Sequence, residues 1–473
     1  MQTDCIRKSL EFHPLGGRKI VARFDGGAIT SEAGGLLLRG VEKATGIIGQ
    51  FARCFSDHRD AESIEHTVEE LVAQRVYALC LGYEDLIDHD ALRHDPLLAA
   101  LVGKLDPTGQ DRKKASDRGK ALAGKSTLNR LELTKESALD SAGKKDRYKK
   151  IEVLPSAVER LPVELFLQAH PVAPAQIILD LDATDDSIHG NQEGRFFHGY
   201  YGGYCYLPLY IFCGEFLLLA RLRPSNIDAS FGALDEIARI VEQIWAKWPK
   251  VRIILRGDSG FCREPIMAWC EEHAVGYLFG LARNARLEKA IEAELAQAKT
   301  LFEQTQQPAR VFAEFAYQTL DSWSRARRVI AKAEHLEKGA NPRFVVTTLC
   351  DDPKHLYEQI YCARGEMENR IKEQQLSLFA DRTSAATMRA NQIRLWFSSF
   401  AYILMQALRR LALKGTDMAK AQCQTIRLKL LKIGAQVRVT VRKVWVSLAQ
   451  GCPYQENFLR AHENLRRLTV LNC

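Results

Sequence analysis

Apolar residues recur at helical spacing over Glu69–Leu81, the first long helix that the pattern predicts. Before it, Ile20–Phe24 reads as a short strand closed by Asp25-Gly26-Gly27. From residue 172 the pattern sharpens. Ile177–Asp182 is an apolar strand ending in carboxylates, and Tyr204–Cys213 and Phe216–Leu222 are two more strands joined by Gly214-Glu215 as a hairpin. Phe231–Trp248 is an amphipathic helix stopped by Pro249. Val251–Leu255 is a strand running into Arg256-Gly257-Asp258, followed by a helix over Glu264–Ala274 and a strand over Gly276–Leu281. The order β-β-β-α-β-α-β predicts an α/β domain.

Residues 283–350 interrupt that order with a polar helix, Arg286–Leu301, and three alternating strands, Val311–Thr319, Arg327–Ala333 and Phe344–Thr348. Helices follow over His355–Leu378 and Ala386–Leu413. The chain thus divides into an N-terminal mixed region, 1–103, and a basic linker, 104–171. An α/β core follows at 172–411 with its β-rich insertion at about 283–350, and then a basic C-terminal region, 412–473.

Charge changes this picture. The 473 residues carry a formal net charge of +8, weak evidence for an anionic partner when averaged. It is not evenly spread. Residues 104–150 hold 14 Lys and Arg against seven acids, and residues 382–473 hold 16 against three, which leaves residues 1–381 acidic overall. The 104–150 stretch reads equally well as a solvated linker or as a DNA-contacting arm. Within it, Gly119-Lys-Ala-Leu-Ala-Gly124-Lys125-Ser126 fits the phosphate-loop spacing. The polar residues Gln110–Arg118 before it cannot be the buried strand such a loop requires, so an ATPase is disfavoured.

The 12 cysteines include no C-x-x-C pair, which argues for free thiols in a reducing compartment. Cys262, Cys270 and His273 lack the paired spacing of zinc ligands. The N-terminus has no apolar leader, and the longest apolar runs are shorter than the ~20 residues that span a bilayer, so the chain reads as soluble and cytoplasmic, with no membrane partner.

Two strands end in acids, at Asp182 within Asp180-Leu-Asp182-Ala-Thr184 and at Asp258 within Arg256-Gly-Asp258-Ser-Gly260. Strand-end aspartates commonly cap turns. A pair at neighbouring strand ends can instead hold hard divalent cations, which take oxygen ligands and share them with phosphates. A third carboxylate, Glu368, lies in Tyr361-x2-Arg364-x3-Glu368-x3-Lys372, spaced along one helix face. That face is either a salt-bridged surface or one metal ligand flanked by phosphate-binding cations. Asp180 shares a strand face with Asp182 and is the alternative first carboxylate.

Asp-Ala-Thr on the first strand, Arg-Gly-Asp-Ser-Gly-Phe on the fourth and Tyr-x2-Arg-x3-Glu on a late helix resemble the bacterial insertion-sequence transposases of the DDE class. That class has a ribonuclease-H-like core and a Tyr-Arg-Glu-Lys signature. The resemblance covers about 172–411 and extends to Thr127-Leu-Asn-Arg130-Leu-Glu132. It implies a mixed five-stranded sheet flanked by helices, an inserted β-rich subdomain, and helical N- and C-terminal regions. It further implies an enzyme that binds terminal inverted repeats and performs metal-dependent cleavage and strand transfer. Asp182, Asp258 and Glu368 would be catalytic metal ligands for Mg2+ or Mn2+. Tyr361, Arg364 and Lys372 would contact DNA phosphates, with Arg364 able to hold one bidentately. The signature lysine falls at Gln375. Trp323 would be a base-stacking residue in the insertion, weighed against a packing role. The resemblance implies double-stranded DNA as partner, a homodimer on DNA, and association with the nucleoid. A catalytically inactive, DNA-binding derivative is the alternative.

Overall fold

The computed structural model describes residues 9–133 and 150–471. Residues 134–149 of the expected basic arm lie outside the described residues, as do Cys5 and Cys473. Every described cysteine is a free thiol. No described helix is long and apolar enough to cross a membrane.

The chain parts into two compact units, one of Met1–Val153 with Ala407–Cys473, the other of Leu154–Gln406. These limits differ from those read from charge and periodicity. Residues 104–133 and 150–153 of the expected linker and the basic C-terminal segment belong to the first unit, where apolar and backbone pairings hold them, and 154–171 belongs to the second. Ala435–Val439 pairs antiparallel with Ala28–Thr30. The Arg427 guanidinium donates to the backbone oxygens of Cys80 and Leu79 at 2.9 and 3.2 Å. The centre of this unit is the helix Val68–Leu81, opened by a capping box between Thr67 and Glu70 and buried continuously from Leu71 to Leu81. The strand expected at Ile20–Phe24 is Arg18–Ala22, paired with Leu10–Leu15. The phosphate-loop-like stretch is preceded by no strand. Lys125 opens the helix Lys125–Glu132 and pairs with Asp90 at 3.2 Å.

The second unit is built on one large sheet. Its elements are β1 (Gln176–Ala183), β2 (Leu209–Cys213), β3 (Phe216–Arg221), α1 (Ala233–Lys247), β4 (Arg252–Gly257), α2 (Glu264–Glu272), β5 (Gly276–Leu281), α3 (Glu292–Thr305), β6 (Ala309–Tyr317), β7 (Arg327–Leu336), β8 (Arg343–Thr347), α4 (Gly365–Leu378) and α5 (Met388–Ala407). The order across the sheet is β3-β2-β1-β4-β5-β8-β7-β6. β1, β4 and β5 run parallel, and every other neighbouring pair is antiparallel. The inserted strands therefore extend the same sheet through β5 and β8 instead of forming a separate subdomain. Phe344–Thr347 supplies an apolar strand that pairs with the free edge of β5.

The period-two alternation of the strands sorts the two faces. Ile177, Leu179 and Leu181 of β1, Ile253 and Leu255 of β4, and Ile237, Ile240 and Ile244 of α1 share one apolar core. Asp180, Asp182 and Arg256 have the other parity and point to the opposite face. There Phe212 of β2 meets Tyr402 of α5, with ring centres 5.8 Å apart. Two expected elements are broken. Tyr204–Cys213 splits at Leu207-Pro208 into Gly203–Tyr206 and β2, since proline cannot donate to a sheet ladder. The helix expected over His355–Leu378 is a wide π-helical turn, Leu356–Tyr361, then a tight 3-10 turn, Cys362–Arg364, before α4 begins at Gly365.

Candidate active site

β1 and β4 are parallel neighbours with Leu181 opposite Gly257, so Asp182 and Asp258 are the next residues at the same end of adjacent strands. Asp258 ends a strand and begins a tight turn, where its Oδ1 accepts the Gly260 N–H at 2.8 Å. Glu368 lies in the first turn of α4. Between the elements stands Arg364, with Nη2 2.7 Å from Glu368 Oε1 and Nη1 3.8 Å from Asp182 Oδ1. Arg364 is thus the cation that the three-carboxylate cluster shares.

The electrostatics of the cluster are strained toward too much negative charge. Burial above all, against the pull of Arg364 and with the charges of Asp258 and Glu368 adding to it, raises the Asp182 carboxyl to about 6. The Asp182 side chain is 14 % exposed and that of Glu368 42 %, so the cluster opens to solvent on the helix side. Among the described residues, no three His, Cys, Asp or Glu side chains are drawn together tightly enough to ligate one ion. The donor set is nonetheless the hard-oxygen set that suits Mg2+ or Mn2+, and the surplus negative charge on Asp182 is what a divalent cation would relieve.

Tyr361 closes the cluster from the wide turn. A Cβ added to Gly280 of β5 would lie 2.5 Å from the Tyr361 hydroxyl and 3.1 Å from the Ser259 N, so only glycine leaves room for this phenol beside the Asp258 turn. Burial raises the Tyr361 phenol above its ordinary value, which keeps it a neutral hydrogen-bond donor. The transposase DDE domain family, group 1, matches residues 12–470 of this chain. The chain belongs to that family.

Among solved structures, the piggyBac transposase in a synaptic complex with hairpin DNA is similar at 11% identity and a TM-score of 0.40, over 84% of this chain and 80% of that one. No protein with a curated description matches.

Other residues predicted for the site of this DDE-family chain are placed unequally. Lys372 is exposed one turn beyond Glu368 on α4, with no ion pair among the described residues. Gln375, at the signature-lysine position, donates to Asp186 Oδ1 at 2.8 Å and to the Asp185 backbone oxygen at 3.2 Å. Asp186 is fully buried, and burial drives its carboxyl up to about 8, with Asp381 and Asp185 adding to the rise against the Gln375 hydrogen bond. A neutral amide thus faces a carboxyl that holds its proton.

Trp323 sits as the packing alternative of its two expected roles would have it. It is buried in the core, edge-on to Tyr317 at 5.8 Å, with the Arg327 guanidinium 5.5 Å from its ring centre. Arg327 is in turn locked to Glu264 and Glu271 at 2.5 and 2.6 Å, so this member of the basic cluster around Trp323 is spent inside the fold, while Arg325 stays exposed.

Sequence reasoning missed Arg256 as a site-building residue. It pairs with Asp180 on the adjacent strand and also donates to the backbone oxygen of Ile360, next to Tyr361. The signal was available: in the parallel register of β1 and β4, Arg256 stands opposite Asp180. It also missed the loop between β1 and β2, where Phe197 and Tyr200 are exposed and the Tyr201 hydroxyl donates to the Ala183 backbone oxygen at 3.4 Å.

Proposed function

We propose that this DDE-family chain is a DNA transposase that cleaves DNA at the terminal inverted repeats of an insertion sequence and transfers the strand ends to a target. The observation that carries this reading is the convergence of Asp182, Asp258 and Glu368, from two neighbouring strand ends and a facing helix, around Arg364. The strand order β3-β2-β1-β4-β5, with β2 alone antiparallel to β1, is the order expected of a ribonuclease-H-like core and supports the same reading.

In this reading Asp182, Asp258 and Glu368 would hold divalent cations, Mg2+ or Mn2+, which would supply activation of a water or 3′-hydroxyl and stabilisation of the leaving oxygen. The chain's own residues do the rest. Arg364 releases part of its hold on Glu368 and Asp182 to meet a scissile phosphate, to which its planar fork can donate two parallel hydrogen bonds. The Tyr361 hydroxyl, fixed over Gly280, donates to a phosphate oxygen. Lys372, exposed and without an ion pair among the described residues, adds a point charge to the DNA backbone farther along α4.

The test is cleavage of DNA carrying the sequences that flank the coding region, assayed with and without Mg2+. Asp182→Asn, Asp258→Ala and Glu368→Gln should each abolish cleavage while DNA binding persists. Undiminished cleavage by Asp258→Ala would sink the assignment.

A further inference from the structure

Within the first unit, Ala435–Val439 and Val444–Leu448 form an antiparallel ribbon closed by Thr440-Val441-Arg442-Lys443. Its inward face is apolar, with Ala435 and Val437 buried. Its outward face is of a different kind. Arg438 stands opposite Trp445, and the Arg438 and Lys443 cations lie 6.0 and 5.1 Å from the Trp445 ring centre. Trp445 nevertheless remains 48% exposed, and the face continues onto the neighbouring strand through Ile29, 67% exposed. Arg442 and Val441 project at the tip, both exposed. No Asp or Glu occurs from Ala435 to Leu448. Among the described residues, Arg438, Arg442 and Lys443 make no ion pair.

We propose that this ribbon docks on duplex DNA, with Arg438, Arg442 and Lys443 at backbone phosphates and Trp445 packed against the sugar edge between them. The inference rests on the reading that the chain acts on DNA, and it assigns a contact surface apart from the carboxylate site. Three unpaired cations without a single acid are complementary to a polyanion. A two-stranded ribbon has the width that a DNA groove admits. A second copy of the chain is a poor occupant, because two such ribbons face to face would bring six uncompensated cations together. An exposed tryptophan with two cations within 6.0 Å of its ring centre also gives a rigid apolar surface beside positive charge, which suits a sugar edge flanked by phosphates.

The experiment uses the full chain and duplex DNA of about 30 base pairs, followed by fluorescence anisotropy across a salt series without divalent metal. The triple variant Arg438→Ala/Arg442→Ala/Lys443→Ala should bind at least tenfold more weakly. The slope of log affinity against log salt should be shallower by about 2.7, at ~0.9 per lost phosphate contact. Trp445→Ala should weaken binding about fivefold or more with the slope unchanged, since it removes apolar contact area at the sugar edge and no charge. Unaltered circular dichroism and melting temperature establish that the variants are folded, as expected for exposed side chains. Wild-type affinity and slope in the triple variant overturn the ribbon assignment while leaving DNA as the partner. A triple variant that keeps the slope but changes the sedimentation coefficient of the free protein overturns it in favour of a contact between copies. A wild-type chain that binds no duplex at all removes both the ribbon assignment and the reading beneath it.

Discussion

Arg256 grips Asp180 through two parallel hydrogen bonds, 2.5 and 2.8 Å, with both side chains buried on adjacent parallel strands. This pair separates the two aspartates of β1. Asp180 is consumed in holding β4 to β1, and through the Ile360 oxygen Arg256 also ties down the wide turn that carries Tyr361. Asp182, two residues on, is left to the open cluster. Arg256→Ala should therefore strand a buried carboxylate and destabilise the unit by about 3–5 kcal/mol. Arg256→Lys should recover little of that, because an ammonium cannot reproduce the fork. Urea unfolding of the two variants checks this, and an Arg256→Lys stability equal to wild type would contradict it.

The part of the fold legible in the sequence is the part governed by short-range pattern. Strand β1, the hairpin of β2 and β3, helix α1 and strand β4 all follow from alternation, helical spacing and the turn residues Gly214 and Pro249. What was not legible depends on pairing across long sequence separations. Nothing local in Phe344–Thr347 says that it will pair with β5, so the insertion reads as a separate subdomain when it extends the sheet. Nothing local in Ala435–Val439 says that its partner is Ala28–Thr30, so charge alone suggested a detached basic region. Among site residues, Asp182 and Asp258 are legible as strand ends and Tyr361, Arg364 and Glu368 from their spacing, but the last three are not carried by one regular helix. The backbone widens before Tyr361 and tightens before Arg364, and Gly280, on another strand, makes room for the phenol.

That room gives a sharp test of Tyr361. Gly280→Ala puts a methyl 2.5 Å from the Tyr361 hydroxyl, so the ring or the Asp258 turn must move. A displacement of ~1 Å at a reacting centre can lower turnover about 100-fold, so Gly280→Ala should cut metal-dependent DNA cleavage by roughly that factor while the protein stays folded. Tyr361→Phe removes the atom that clashes. In the double variant Gly280→Ala/Tyr361→Phe most of the Gly280→Ala loss should disappear, because the closest contact is gone and only the 3.1 Å approach to the Ser259 N remains. Strictly additive losses, measured as single-turnover rates, would show that Gly280 acts elsewhere.

Asp186 makes a pH prediction. Its carboxyl titrates near 8 in the folded chain and near the ordinary 3.8 when unfolded. Between those values the folded state binds the proton and the unfolded state does not. This group's effect on stability is therefore neutral below about pH 4, grows more unfavourable as pH rises to about 8, and is constant above that. Asp186→Asn keeps the hydrogen-bonding shape beside Gln375 without the ionisation. Its melting temperature should match wild type near pH 4 and exceed it by several degrees at pH 8 and above. Parallel thermal melts across that range decide the matter, and a constant offset between the two proteins would show that Asp186 does not carry the proton.

The two roles weighed for Trp323, base stacking and core packing, predict opposite outcomes. As a base-stacking platform it would tolerate truncation in the free protein and lose DNA binding. As the core residue between Tyr317 and the Arg327 network, it should cost about 3–5 kcal/mol on change to Ala, because a large aromatic leaves a cavity that the sheet cannot close. Trp323→Phe retains most of the volume and the edge-on contact with Tyr317. It should keep wild-type affinity for DNA with unpaired ends and lose only part of the stability. Urea midpoints and anisotropy titrations on the same two variants separate the cases. A stable Trp323→Ala protein with weakened binding would restore the stacking role and remove Trp323 from the core.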